Sequence, residues 1–378
     1  MPFSARSYRE PDRPTFGENN SFISLQYLYA PKKNSKIIIQ HRGSNDARLL
    51  VEAVLRPLGS RFVYLSYEDH DLVTANTQAV THAAFLRYEI VTMVAYKILM
   101  HFSSMGTAWC SSKSYPWEHG LYVGGIETAK VNLTLRIYSN LWHVYAGVAI
   151  LNPSAGIQID RYAASATELF KMMLEGGNGG DDERRAFHKR IEWAKHAVFG
   201  KEMQRRPILL SQEVLDRFTL GKSPESAETP LFPPPSSSSA SSTSKYKPNS
   251  HLSLLAMVDC WAHLGINPYT HLSLAATPIF RLFLGVAEHL FLSPSLLSAS
   301  IRSAFFDTWH RSDDLEFVVA ARGWSQCVSF GMFEAYEKRF EKTRKFFEGR
   351  FEEAGVVGSE MIKAVMESEI SRENEIIN

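Results

Sequence analysis

Cysteine is scarce in this chain of 378 residues: Cys110, Cys260 and Cys327 lie far apart. Three such residues make neither a disulfide framework nor a zinc site, so a reducing compartment, the cytoplasm, is the expectation. An excess of either charge is also missing. Lys and Arg total 41 against 40 Asp and Glu, a net charge of +1, which gives no electrostatic case for nucleic acid or an anionic membrane as partner. Long apolar runs are absent: the longest, Ile90 to Met100, is interrupted by Lys97 and too short to span a bilayer. The N-terminus, with Arg6, Arg9, Glu10, Asp12 and Arg13, lacks the apolar centre of a signal peptide. No dinucleotide glycine fingerprint, phosphate loop, nucleophile elbow or metal-spaced His/Cys set occurs. Gly124–Gly125 precedes a helical pattern, but a lone glycine pair is a weak phosphate signal. Secreted, membrane-spanning and fibrous classes are thereby excluded. What remains, 45% hydrophobic and 21% charged, is the composition of a globular protein, long enough for two domains.

Residues 1–35 are rich in Pro, Asn, Ser and Arg without periodicity and read as irregular. Lys36–His41 is a β-branched apolar run, a buried strand. Asn45 or Asp46 can cap a following helix carrying Leu49, Leu50, Ala53, Val54 and Leu58, and Arg61–Tyr67 reads as a second strand. This β-α-β unit cannot form a sheet domain alone. From residue 69 the patterns are helical: 71–86, 130–151, 161–174 and 183–199, then 253–264, 278–292, 294–304, 314–330 and 333–351. The last carries Phe333, Tyr336, Phe340, Phe347 and Phe351 on one stripe, the pattern of a core-facing helix. Gly176–Gly180 reads as a loop, and the Pro- and Ser-rich residues 222–250 as a disordered linker. The chain thus divides into 1–35, 36–68, a first helical region 69–221, the linker, and a second helical region 251–378.

The two helical regions resemble each other. His251, Met257 and Trp261 recur at the spacing of His82, Met105 and Trp109 once residues 87–103 are removed, and Leu135–Pro153 resembles Phe280–Pro294. An internal duplication and a chance likeness of helices both fit.

His82 is the first candidate for chemistry. At 100° per residue Asp71, Gln78 and His82 share a helix face that is otherwise small or apolar, and a histidine there can act as a general base near neutral pH. A satisfied core histidine is the competing reading. His70 reads as an exposed helix start. Arg136, set among Leu133, Leu135 and Ile137, needs an anionic partner if buried: a structural carboxylate or a substrate carboxylate held by its fork. Arg281 poses the same question, with a structural answer favoured.

The segment YLSYEDHDLVTANTQAVTHAAFL (Tyr64–Leu86) resembles the fungal NADP-dependent prephenate dehydrogenases of tyrosine biosynthesis. YPWE (Tyr115–Glu118), YVGGIETAKVNLTLRIYSNLWHVYAG (Tyr122–Gly147), SATELF (Ser165–Phe170), PNSHLSLLAMVD (Pro248–Asp259), TPIFRLFLGV (Thr277–Val286) and DDLEFVVAAR (Asp313–Arg322) extend the likeness over about 36–365. The resemblance implies a mainly α fold, the helical dimerisation-type domain of that family, with 36–68 as the remnant of a Rossmann-like domain. It implies oxidative decarboxylation of prephenate to 4-hydroxyphenylpyruvate with NADP as hydride acceptor. His82 would engage the ring hydroxyl, Arg136 grip a carboxylate, Gln78 lie one turn from the base, and Tyr145 line the pocket. His251 and Arg281 are the second-half counterparts. A homodimer, or an internal pseudo-dimer of the two halves, is implied as the assembly.

Two departures qualify the resemblance. The family's glycine-rich cofactor domain has no counterpart in residues 1–35, so a non-catalytic helical module that binds substrate or associates is the rival expectation. Residues 87–103 are inserted just beyond His82, and read either as a retained intron or as a natural helix extension.

Overall fold

The computed structural model describes residues 2–4, 22–26, 36–40, 45–59, 61–82, 125–200, 209–218, 249–272, 277–308 and 310–377. The insertion 87–103 and most of the linker 222–250 lie outside the described residues.

The β-α-β unit forms where the sequence places it. Strand β3 (Lys36–Gln40), helix α1 (Asn45–Leu55) and strand β4 (Arg61–Leu65) follow in order, and β3 pairs parallel with β4, Lys36 opposite Arg61 and Gln40 opposite Leu65. Residues 1–35, expected to be irregular, instead contribute β1 (Pro2–Ser4) and β2 (Phe22–Gln26). These pair antiparallel with each other, and β2 pairs antiparallel with β3, giving a sheet of order β1-β2-β3-β4. The FISLQ segment is too short to announce its period. The partner strand β3 supplies the ladder that local pattern could not reveal.

Everything described after β4 is helical or connects helices, and the fold is mainly α. Helix α2 spans Tyr67–Thr74 and passes into a π-helical turn, Ala75–Ala79. The helices that follow are α3 (Gly125–Tyr138), α4 (His143–Leu151), α5 (Pro153–Gly177), α6 (Asp181–Phe199), α7 (Gln212–Arg217), α8 (Leu252–Leu264), α9 (Pro278–Leu292), α10 (Pro294–Phe306), α11 (Arg311–Ser329), α12 (Phe333–Phe347) and α13 (Phe351–Ile377). The sequence pattern runs 130–151 together as one helix. The chain breaks it at Ser139–Trp142, because the Ser139 hydroxyl and the Asn140 amide both donate to the Arg136 carbonyl, at 2.7 and 2.9 Å, and so take the acceptor at which the helix ends. Likewise 333–351 resolves into α12, a short 3-10 turn and the long α13.

Helix α5 is the axis of the molecule. Asn152 caps it, its Oδ1 accepting from the Ala155 amide, and Pro153 occupies the first turn where no donor is needed. Ala155, Ala163, Ser165 and Ala166 are buried along it and let neighbours approach, while Ile159, Tyr162, Leu169, Phe170 and Met173 fill the core. The π turn, α4, α6, α8, α10 and α11 all pack against this helix, and α13 packs against α3 and α9. Ser293–Pro294 opens α10 as Asn152–Pro153 opens α5, with an extended cap residue accepting from the amide three positions on. Among the described residues no single helix is long and apolar enough to cross a membrane.

Helix α5 ends in Gly176–Gly177, and a Cβ on Gly176 would lie 2.6 Å from the Phe305 ring. That ring is wedged edge-on against Phe187, 5.1 Å between centroids, and has nowhere to retreat. The gain in helix propensity from alanine, about 1 kcal/mol, is smaller than the overpacking cost of about 1–3 kcal/mol. Gly176→Ala should therefore lower the melting temperature by a few degrees in a thermal unfolding scan; an unchanged or raised value would show that the Phe305 ring can shift freely.

Candidate active site

Ser66 starts α2: its Oγ accepts from the Asp69 amide at 3.0 Å and donates to the Asp69 carboxylate at 2.7 Å. His70, expected at an exposed helix start, is buried beside Val73 and Thr74. The π turn is held from inside by hydroxyls. Thr77 donates to the Val73 carbonyl at 2.8 Å and Thr81 to the Gln78 carbonyl at 2.9 Å. It is held from outside by α5, whose Gln158 amide donates to Asn76 Oδ1 at 2.6 Å.

A π turn fits one extra residue into the helix and so rotates everything beyond it by about 100°. The shared face of Asp71, Gln78 and His82 therefore does not survive. Asp71 lies near His70, 3.4 Å from its Nδ1, and its carbonyl accepts from the Asn152 amide. Gln78 is buried but does not line the recess around His82. The rotation instead brings Ala79 and His82 into a small, half-open recess completed by Tyr145, Val148 and Ala149 of α4, Ile159 of α5, Trp324 and Val328 of α11, and Tyr336 of α12. Burial among these groups pushes the His82 pKa down to about 4. Its ring nitrogens have no hydrogen-bond partner among the described residues.

Tyr145 connects His82 to Arg136. Its ring meets His82 edge-on, 4.8 Å between centroids, and stacks on Phe340 from the other side. Its hydroxyl accepts from the Asn140 amide at 2.7 Å, and the same amide donates to the Arg136 carbonyl at 2.9 Å. Burial raises the Tyr145 hydroxyl pKa well above the usual value, so it stays a neutral phenol. Arg136 is not sealed in the core as its neighbours suggested: it is partly exposed, and its Nη1 donates to Ser359 of α13 at 3.1 Å. The structure thus assembles His82 and Tyr145 directly and sets Arg136 behind Tyr145.

The second-half candidates separate. Arg281 donates to the Leu272 carbonyl at 2.6 Å, the structural role that sequence favoured. His251 lies at the head of α8, its Nδ1 3.0 Å from Glu127 Oε1, which also accepts from Lys130 at 2.8 Å. Sequence reading missed Glu127, Asn140, Trp324 and Tyr336. The helix-breaking Ser-Asn pair was a usable signal for Asn140, whereas Tyr336 was hidden in the aromatic stripe of α12.

Among the described residues no group of three or more His, Cys, Asp or Glu side chains is placed to hold a metal ion, and no glycine-lined cradle for a dinucleotide pyrophosphate is formed.

A helical region of this kind, with a histidine in an aromatic recess, is the substrate-side half of a dehydrogenase. A family model of the 6-phosphogluconate dehydrogenase C-terminal domain type matches residues 97–367. The chain is 45% identical over 351 residues to a prephenate dehydrogenase [NADP(+)] of Saccharomyces cerevisiae, covering 91% of this chain and 69% of that protein. It is 42% identical over 357 residues to a probable prephenate dehydrogenase [NADP(+)] of Schizosaccharomyces pombe, covering 93% and 73%. No solved structure matches. The chain belongs to the NADP-dependent prephenate dehydrogenase family.

His82 in this recess fixes a pH dependence. Its folded pKa, about 4, lies below the unfolded value of about 6.5, so between these values the unfolded chain binds the extra proton. The His82 contribution is fully present above pH 6.5 and is lost as the pH falls toward 4. Melting temperatures of wild type and His82→Gln, compared from about pH 7 to pH 4, should show a shallower decline in the variant; parallel curves would mean that the imidazole is not desolvated.

Proposed function

We propose that the chain carries the substrate site of an NADP-dependent prephenate dehydrogenase, which oxidatively decarboxylates prephenate to 4-hydroxyphenylpyruvate. The observation that carries this reading is the run His82–Tyr145–Asn140–Arg136, a base and a guanidinium held on opposite sides of one buried tyrosine. The names of the two yeast relatives supply NADP as the hydride acceptor. The residues described here act on the substrate alone.

Each residue has a part that its geometry suits. Neutral His82, with both ring nitrogens uncommitted among the described residues, takes the proton of the ring hydroxyl as the hydride leaves its carbon. The apolar walls of Val148, Ala149, Ile159 and Val328 keep bulk water from competing for that proton. Tyr145 and Trp324 flank the ring, and Arg136 holds a carboxylate through charge-assisted hydrogen bonds. Loss of the ring carboxylate as carbon dioxide then restores aromaticity. Gln78, buried but outside the recess, supports the helix behind His82 and does not contact substrate.

The test is NADP reduction by the purified full chain with prephenate, followed by absorbance. Turnover is expected, with His82→Asn lowering kcat by about 100-fold or more at little change in KM, the usual loss for a general base. Prephenate binding without turnover would favour the non-catalytic module, and an active His82→Asn variant would remove His82 from the mechanism.

A further inference from the structure

His251 is the one residue other than glycine with positive φ among the described residues, at φ 50° and ψ 35°. A left-handed histidine is strained, and such strain persists where the surroundings over-determine it. Here they do. The Asn249 side chain accepts from the His251 amide at 2.8 Å, Ser250 Oγ donates to the Asp314 carboxylate at 2.9 Å, and Ser300 donates to the Ser250 carbonyl at 2.5 Å. Asp314 is itself fixed by His310 at 2.7 Å, and His310 Nε2 is 2.9 Å from Ser303 Oγ. Polar side chains of α10, of the head of α11 and of the two residues before His251 thus hold the backbone of one histidine.

The outcome of that arrangement is an aimed imidazole. Nδ1 is committed to Glu127, leaving Nε2 without a hydrogen-bond partner among the described residues in a side chain 5% exposed. The position is close to the recess. Tyr162 of α5 donates to the Ser253 carbonyl, two residues beyond His251, at 3.0 Å. Ile159, one turn earlier on the same helix, lines the His82 recess.

We propose that His251, oriented by Glu127, is a second substrate-binding group of this site, its Nε2 receiving the carboxylate of prephenate that Arg136 does not hold, with one proton taken up from solvent as the ligand binds. This rests on the substrate reading above. The charged and titratable groups around the imidazole are Glu127 and Lys130 of α3, and Asp314 and His310. Burial lowers the His251 pKa in the empty site, with Lys130 and His310 acting in the same direction against Glu127. Burial alone would raise Glu127, but Lys130 and His251 hold it well below the usual carboxylate range, so it stays charged. An incoming carboxylate on the open nitrogen adds a second anion and favours the imidazolium, which makes binding a proton-uptake event.

The experiment is calorimetric titration of the full chain with prephenate at about pH 6, 7 and 8, in two buffers of different ionisation enthalpy. Wild type should take up a fraction of a proton that depends on pH, with Kd rising as pH rises. His251→Asn should weaken binding roughly 10- to 100-fold, the loss of one charge-assisted hydrogen bond, and abolish the proton uptake. Asn and Gly both accept the left-handed conformation, so His251→Asn and His251→Gly should melt at or above the wild-type temperature. Wild-type binding without proton uptake, or a variant that binds and takes up protons like wild type, overturns the role of His251. Failure of wild type to bind prephenate at all overturns the substrate reading and this inference with it.

Discussion

The hydrogen bonds that buried polar groups on α5 must make determine where the rest of the molecule sits. Gln158 and Tyr162 are buried on its surface, and an unsatisfied amide or phenol there would cost about 1–3 kcal/mol each. Gln158 meets that demand through Asn76 of the π turn, and Tyr162 through the Ser253 carbonyl of α8. Those two bonds face different parts of the chain. One anchors the helix that presents His82, the other the helix that begins at His251, and both leave from adjacent turns of a single rigid element. The apolar core supplies the bulk of the stability, but it is the polar pairs that set the register.

Function follows from that register through the π turn. An unbroken helix would have kept Asp71 and Gln78 on the face of His82, placing an acid and an amide beside the base. The extra residue, held by Thr77 and Thr81 hydroxyls, turns those groups away and exposes His82 to aromatic and aliphatic walls instead. A π turn next to a reactive group is a common use of this otherwise unfavourable geometry. The recess it creates is lined almost wholly by apolar groups, and Tyr145 carries its influence outward, with one edge on His82 and its hydroxyl on the Asn140 amide that also ties down the Arg136 carbonyl.

Much of this was legible in the sequence, for identifiable reasons. The helices α5, α6, α9 and α11 show long 3.6-residue periods, and the β-α-β unit is bounded by strong β-branched runs, so local pattern and tertiary environment agree. His82, Arg136 and Tyr145 came from family resemblance together with a sound physical expectation about helix faces. What was not legible depended on partners distant in the chain. Strand β2 exists because β3 offers a ladder. The π turn exists because Asn76 finds Gln158. The break at Ser139 needs only local hydroxyl and amide competition, and could have been read from Ser-Asn before Leu-Trp. Glu127 gave no signal because its partner, His251, lies 124 residues away.

The two histidines solve opposite problems. His82 has no fixed partner among the described residues, so its proton affinity is set by the apolar recess and rises only when a ligand brings its own polar groups; its environment holds it neutral until then. His251 is bound to a charged carboxylate and locked by a strained backbone, so its orientation is decided before any ligand arrives. A base that must wait for its substrate and a binding group that must already be aimed call for these two environments. The chain supplies the first by a widened helical turn and the second by a residue in the left-handed region. Both devices cost stability locally, and both are braced by the same two turns of α5.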